Sequence, residues 1–253
     1  MPSFLCYNMC VIYMNELDKK LLIDKYGSLD VIKDKLDDNY PIQYLIGYVD
    51  FYGYRINVDQ RALIPRFETE GLIELVLNTI KKYSLNVHDI LDIGTGSGCI
   101  DIVLSKKLDK VSIDSIDISK YAIELANENY DLNNITNVTA LVSDVFKYEP
   151  DYKYDLIISN PPYVDINEEV SPEIKYEPTI AIYADDKGLK YYKHIIKEAV
   201  NWVFDNSLIA FEIGYEQGDY LKEYASKYFP NSIIEVHQDL SGRDRYLLII
   251  NNR

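Results

Sequence analysis

The stretch that most constrains the fold runs from His88 to Leu104. It reads His-Asp-Ile-Leu-Asp-Ile, then Gly94-Thr95-Gly96-Ser97-Gly98, then Cys-Ile-Asp-Ile-Val-Leu. An apolar run of strand length passes through a glycine-rich turn into a run that starts a helix. The glycines let the backbone turn sharply and let a ligand approach the main chain closely. A Gly-x-Gly-x-Gly alone is a weak signal, but here a strand, a helix and a downstream acid accompany it. That acid is Asp117, 19 residues after Gly98, ending the run Val111–Ile116. Its position suits a carboxylate that accepts the ribose hydroxyls of a nucleoside. No Lys occurs within the glycine turn, which disfavours a triphosphate-binding loop. Asp144 ends the next strand-like run, Val138–Ser143.

A second stretch changes what the first can be used for. Asp155–Ser159 is apolar and of strand length, and Asn160-Pro161-Pro162-Tyr163 follows it. Two prolines cannot donate to a sheet ladder, and the residue before a proline is pushed toward extended geometry. The strand is predicted to end at Ser159 and to project a rigid loop beyond its C-terminal edge, where open α/β sheets bind ligands. Such a loop offers a side-chain amide, fixed carbonyls and an aromatic face. Carbonyl oxygens can accept the two hydrogens of a planar NH2 group while the ring stacks on its plane. Read alone, the same residues are a surface turn. Asp117, Asp144 and Asn160 at three successive strand ends argue for a site.

At this point the chain resembles the HemK/PrmC family, the S-adenosylmethionine-dependent protein-glutamine N5-methyltransferases that modify peptide-chain release factors. The matching stretches are Pro41–Gly47, Asp50–Gly53, Leu63-Ile64-Pro65-Arg66-Phe67-Glu68-Thr69-Glu70, Leu91–Ile100, Ser143-Asp144, Asn160–Tyr163 and Tyr176-Glu177-Pro178. Phe67 stands where the family usually has proline, and Val145 where some members place an aromatic residue near adenine. The resemblance implies a seven-stranded, Rossmann-like α/β methyltransferase sheet. It implies a shortened N-terminal helical segment over 1–40, a β-hairpin linker over 41–66 and the methyltransferase domain over 67–253. It assigns Gly94, Thr95, Gly96, Ser97, Gly98, Asp117, Asp144, Val145 and Asn160 to S-adenosylmethionine. It assigns Asn160, Pro161, Pro162 and Tyr163 to the substrate, with Asn160, Pro161 and Tyr163 catalytic, and no metal. The implied partner is a release factor bearing a Gly-Gly-Gln motif.

Composition narrows the partner. The 253 residues carry 26 basic and 41 acidic side chains, a net charge of −15. Such a chain does not advertise affinity for phosphate backbones or anionic membranes, so neither stable nucleic-acid binding nor membrane attachment is expected. Cys6, Cys10 and Cys99 form neither a disulfide framework nor a zinc spacing. Residues 1–13 are apolar but lack a basic n-region and a cleavage site, Met14 is a candidate start, and a cytoplasmic setting is expected.

Taken in order, residues 15–38 show two short helical patterns broken at Gly27, and residues 48–64 alternate around Gly53 as a hairpin. Helices are predicted over 68–83, 99–107, 119–130, 189–204 and 217–228, with strands over 207–213, 232–237 and 245–250. The last two lack a crossover between them and are expected to pair antiparallel. The polar, irregular stretch 164–186 follows the Asn-Pro-Pro-Tyr strand and is expected to be a substrate-facing flap.

The chemistry follows from the nucleophile. An amide nitrogen is poor because its lone pair is delocalised into the carbonyl. Holding the NH2 by its hydrogens, between the Asn160 oxygen and the Pro161 carbonyl, aims that lone pair without a strong base, and Tyr163 would stack on the amide. Two alternatives share parts of this pattern. An adenine-amino methyltransferase of DNA or RNA uses the same loop but needs a basic track, and this sequence has no Lys/Arg cluster. A non-catalytic nucleotide binder has no use for a grip on a substrate NH2.

Overall fold

The computed structural model describes residues 14–252. Cys6, Cys10 and the reading of residues 1–13 lie outside them. Helices pack on both faces of a seven-stranded sheet, and the reason is legible in the strands. Alternate residues point to opposite faces. Ile90, Leu156, Ile158, Leu208 and Ala210 join one core, while Leu91, Ile93, Ile157, Ile209 and Phe211 join the other. Strands apolar on both sides need helices on both faces.

The N-terminal segment contains α1 (Glu16–Tyr26), a 3-10 turn (Leu29–Ile32), α2 (Lys33–Asp37) and α3 (Ile42–Ile46). Asn15 caps α1 by accepting from the Asp18 N–H at 2.8 Å, and Gly27 ends it at a φ of 81°. Leu22, Ile32 and Leu45 form its small core. β1 (Tyr48–Phe51) and β2 (Tyr54–Asn57) make the hairpin, which is shorter than its predicted extent. Past Asn57 the chain turns instead: Asp59 accepts from the Arg61 N–H at 3.0 Å, an Asx turn that competes with pairing. The hairpin tip, Tyr52-Gly53, has positive φ at both residues. Tyr52 is held there because its N–H donates to Glu70 Oε1 at 2.7 Å on the next helix.

That helix is α4 (Phe67–Tyr83), followed by β3 (Asp89–Ile93), α5 (Cys99–Lys107), β4 (Ser112–Asp117), α6 (Lys120–Leu132), β5 (Val138–Val142) and β6 (Tyr154–Ser159). The flap holds a short parallel pair, β7 (Val164–Asp165) with β8 (Tyr183–Ala184), and 3-10 turns at Pro172–Tyr176 and Thr179–Ala181. α7 (Lys190–Trp202), β9 (Val203–Glu212), α8 (Gly218–Tyr228), β10 (Ile233–Gln238) and β11 (Asp244–Asn252) complete it. The strand order is β10-β11-β9-β6-β3-β4-β5. β11 runs antiparallel to both neighbours, as expected for its pair with β10. β9 begins four residues before the predicted strand, because Val203 pairs with Tyr154 of β6 and Asn206 with Asn252 of β11. Its polar start, Asp205-Asn206-Ser207, hides that from periodicity.

α4 lies against the sheet through a close approach at Gly71. A Cβ there would sit 2.2 Å from the Tyr246 hydroxyl, which donates to the Glu68 carbonyl at 2.9 Å. Gly71→Ala is expected to destabilise the fold by about 1–3 kcal/mol through overpacking. In urea unfolding, the double variant with Tyr246→Phe should lose less than the two single losses combined, since the clashing oxygen is gone.

Candidate active site

Parallel pairing sets the strand ends level. Ile93 of β3 lies opposite Ile116 of β4 and Ser159 of β6. The Gly94 and Thr95 N–H groups donate to the Ile116 carbonyl at 2.8 and 3.2 Å. The Ser159 hydroxyl donates to the Ile93 carbonyl at 2.6 Å. The turn after β3 and the loop after β6 therefore leave the sheet side by side.

Between them opens a cleft of about 330 Å³, within the range of small-molecule sites. Gly94, Thr95, Gly96, Ser97, Asp117, Asp144, Val145, Asn160, Pro161 and Pro162 all line it. Gly98 does not. It starts α5 at a φ of 78°, and a Cβ there would meet the Tyr130 ring at 2.6 Å. Tyr163 is also outside the cleft lining and packs against the core on the α7 face. Its hydroxyl donates to Glu212 Oε1 at 3.4 Å.

The cleft fits a nucleoside with a charged tail. Asp117 accepts from the Gly96 N–H at 3.0 Å and the Ser119 N–H at 2.8 Å, which fixes its carboxylate at the mouth of the glycine turn. Burial pushes its pKa up, and those two N–H groups oppose the shift. Each oxygen keeps a lone pair for ribose hydroxyls. Ile118 and Phe146 add apolar surface beside Val145, and Phe146 packs on Tyr191 at 5.4 Å between centroids. An aromatic ring thus stands one residue after Val145. Asp144 accepts from the Phe146 N–H at 3.1 Å and so orients that ring.

Beneath the turn lie two carboxyls that no sequence argument singled out. Asp92 and Asp101 are fully buried. Asp101 Oδ2 accepts from Thr95 at 2.6 Å, Ser115 at 2.6 Å and Tyr130 at 2.5 Å. Burial first, then the Asp101 carboxylate, pushes the Asp92 pKa well up; burial raises Asp101 as well, and its three hydroxyl donors oppose that shift. The Thr95 side chain is spent on this network, and its place in the cleft lining rests on the rest of the residue.

A third buried acid, Glu212, ends β9 and has the same environment-driven character. Burial raises its pKa to about 7, against Thr69, Arg245 and Tyr163, which favour the ionised form. Thr69 Oγ1 donates to Glu212 Oε2 at 2.7 Å, and Asn160 Nδ2 donates to Thr69 Oγ1 at 3.2 Å. The available signal was a lone acid closing an all-apolar run, Leu208–Phe211. The cleft's other wall is the segment before α4. There Glu177 of the flap accepts from the Ile64 N–H at 2.9 Å and pairs with Arg66.

Residues 72–175 match the family model described as "Methyltransferase small domain". A release factor glutamine methyltransferase of Lactococcus lactis is 38% identical over 94% of this chain and 87% of its own length. One from Streptococcus pneumoniae is 39% identical over 92% of this chain and 81% of its own. Among solved structures, the ribosomal protein L11 methylase from Lactobacillus delbrueckii superposes with a TM-score of 0.57 at 22% identity, covering 78% of this chain and 86% of that one. The hMettl16 catalytic domain in complex with an RNA hairpin gives 0.61 at 16% identity, covering 92% of each chain. These two show a shared fold.

The raised Glu212 pKa has a measurable consequence for stability. A carboxyl that binds its proton more tightly when folded favours folding below its unfolded pKa of 4.5, and that contribution is lost as pH rises through about 7. Relative to Glu212→Gln, the wild type is expected to lose on the order of 3 kcal/mol between pH 4.5 and pH 8. Urea unfolding of both proteins across that interval measures it. A difference that stays constant with pH would show that the carboxyl does not titrate in this range.

Proposed function

The chain belongs to the release factor glutamine methyltransferase family, and on that premise we propose that it methylates the side-chain amide nitrogen of the glutamine in a release factor's Gly-Gly-Gln motif, using S-adenosylmethionine in the cytoplasm. One observation carries the reading. Asn160, Pro161 and Pro162 line the same cleft as Gly94–Ser97 and Asp117, so an NH2 grip and a nucleoside site share one space. S-adenosylmethionine, when bound, supplies an electrophilic sulfonium methyl. The backbone of the glycine turn would hold its tail, Asp117 its ribose, and Ile118, Val145 and Phe146 its base.

The chain's own residues handle the amide. The Asn160 oxygen and the Pro161 carbonyl accept the two N–H groups of the glutamine. This holds the nitrogen with its lone pair toward the methyl and favours pyramidalisation. Fixed dipoles of this kind need no reorganisation as charge spreads. Positioning contributes most of the acceleration, on the order of 7–11 kcal/mol at best. The proton displaced from the nitrogen would pass to solvent, since neither the Asn160 amide nor the Pro161 carbonyl is a base that could keep it. Tyr163, tied through its hydroxyl to Glu212, buttresses the loop from behind.

Substrate choice comes from the surroundings. A net charge of −15 disfavours a polyphosphate strand and attracts a basic protein surface. Residues 1–40 and the linker 41–66 are proposed to help present the release factor to the domain 67–253. The flap bridges them, with Lys175 Nζ 2.8 Å from Asp38 at one end and Glu177 against Arg66 at the other.

Mass spectrometry of a folded release factor incubated with the protein and S-adenosylmethionine should show one added methyl on that glutamine. Asn160→Ala should keep cofactor binding by calorimetry while turnover falls about a hundred- to a thousand-fold. Turnover within a few-fold of wild type would remove Asn160 from the mechanism. Methyl transfer to adenine that outpaces transfer to glutamine would replace the substrate assignment.

A further inference from the structure

An asparagine amide is nearly symmetric in shape, and a half-turn about its last bond exchanges an acceptor for a donor. The proposed grip needs the oxygen toward the substrate, because the substrate NH2 offers only hydrogens. Which end Asn160 presents is decided by its hydrogen-bond partners. We infer that Glu212, acting through the Thr69 hydroxyl, fixes the orientation of the Asn160 amide and is a positioning residue for methyl transfer. This rests on the reading of Asn160 as the substrate grip.

The argument is one of hydrogen-bond polarity. A carboxylate accepts and cannot donate. With Glu212 ionised, the single Thr69 hydroxyl proton is committed to Oε2 at 2.7 Å. Thr69 Oγ1 can then only accept from Asn160, at 3.2 Å, so the atom turned toward it must be Nδ2. Oδ1 is left for the substrate. A protonated Glu212 can donate to Thr69 instead. The Thr69 proton is then free to point at Asn160, and the chain can run in reverse with the amide turned round. The NH2 group that faces the substrate in that state meets it donor to donor. Burial makes the chain decisive, since Thr69 is 3% exposed and Glu212 1% exposed, and water does not compete for these atoms.

The groups around Glu212 are few. On α4 lie Thr69 and Glu68, the latter opposing ionisation; after β6, Tyr163 donates to Oε1; on α7, the Tyr192 hydroxyl donates to the Glu212 backbone carbonyl at 2.7 Å. On β11, Arg245 favours the ionised form, and Tyr246 faces Glu212 across the ladder. With its pKa raised to about 7 by burial, Glu212 changes charge inside the range where an enzyme is assayed. Asn160 and Tyr163 are both tied to it, so its protonation reaches two residues of the loop at once.

The test follows turnover of the release factor against pH, from 5.5 to 8.5, together with the side-chain amide resonances of Asn160 in protein labelled with 15N-asparagine. In the wild type, turnover should fall about tenfold per pH unit below the Glu212 transition, and the Asn160 amide signals should shift with the same midpoint. Glu212→Gln should remove both the acid limb and the midpoint. Thr69→Val should do the same and lower kcat while leaving KM and cofactor affinity near wild type, and Thr69→Ser should restore rate and limb. An acid limb and amide midpoint that persist in Glu212→Gln, or wild-type kcat in Thr69→Val, would overturn the inference. A wild type that methylates no glutamine at any pH would sink the functional reading alone, because the amide midpoint and its loss in the variants still decide the role of Glu212.

Discussion

The register of β3 between β4 and β6 is the constraint on which the rest depends. Side chains alternate along a strand, so a slip of one residue would turn Leu91 and Ile157 into the wrong core and misalign the strand ends. In the observed register those ends are level, and the backbone bonds from Gly94 and Thr95 to Ile116 lock the glycine turn across two strands. The Ser159 hydroxyl locks the other side through the Ile93 carbonyl. A cleft whose walls are two loops is thereby given the rigidity of a sheet. This is what positioning catalysis requires, since a small displacement of either loop would spoil the approach of nitrogen to methyl.

Three acids are buried in or beside this sheet, and they are handled in different ways. Asp101 gathers three hydroxyl donors on Oδ2, which favour its charged form against the burial that raises its pKa. Asp92, next to it, is pushed well up by burial first and by the adjacent Asp101 second. Their shared network braces the glycine turn from below through Thr95 and Tyr130. Glu212 lies between these extremes, with enough donors to ionise near neutrality and too few to do so freely. An acid in that position weakens the fold when charged, and its charge bears on Thr69, on Asn160 through Thr69, and on Tyr163.

The flap ties the peripheral elements to this centre. Glu177 is buried and serves both the Ile64 N–H and Arg66, so the segment that opens α4 is held by the loop that follows the Asn-Pro-Pro-Tyr strand. Thr69 lies one turn further along α4. The Pro-Arg-x-x-Thr-Glu segment and the Asn-Pro-Pro-Tyr loop, 91 residues apart at Thr69 and Asn160, are therefore joined by one buried hydrogen-bond chain as well as by the flap. Among the described residues no helix is long and apolar enough to cross a membrane.

The sequence by itself determined the alternation of strand and helix, the glycine turn, the strand-end acids and the rigid loop at Asn160. Each is a local property, written in side-chain period, in the φ freedom of glycine and in the missing N–H of proline. Periodicity served β3, β6, α5 and α8 well because their neighbours in sequence share their environment. It failed at the start of β9, where a polar run is drawn into the sheet by Tyr154 of β6 at Val203 and by β11 from Asn206 on, and past Asn57, where an Asx turn replaces the ladder. Only the tertiary structure decided that Tyr163 packs behind the loop, that Phe146 furnishes the aromatic surface beside Val145, and that Thr69 and Glu212 stand behind Asn160. Those relations cross 143 residues between Thr69 and Glu212 and depend on burial, which no run of letters displays. A lone Glu at the end of an apolar strand reads as a cap, and it becomes a titrating group near neutrality only when the folded chain removes the water around it.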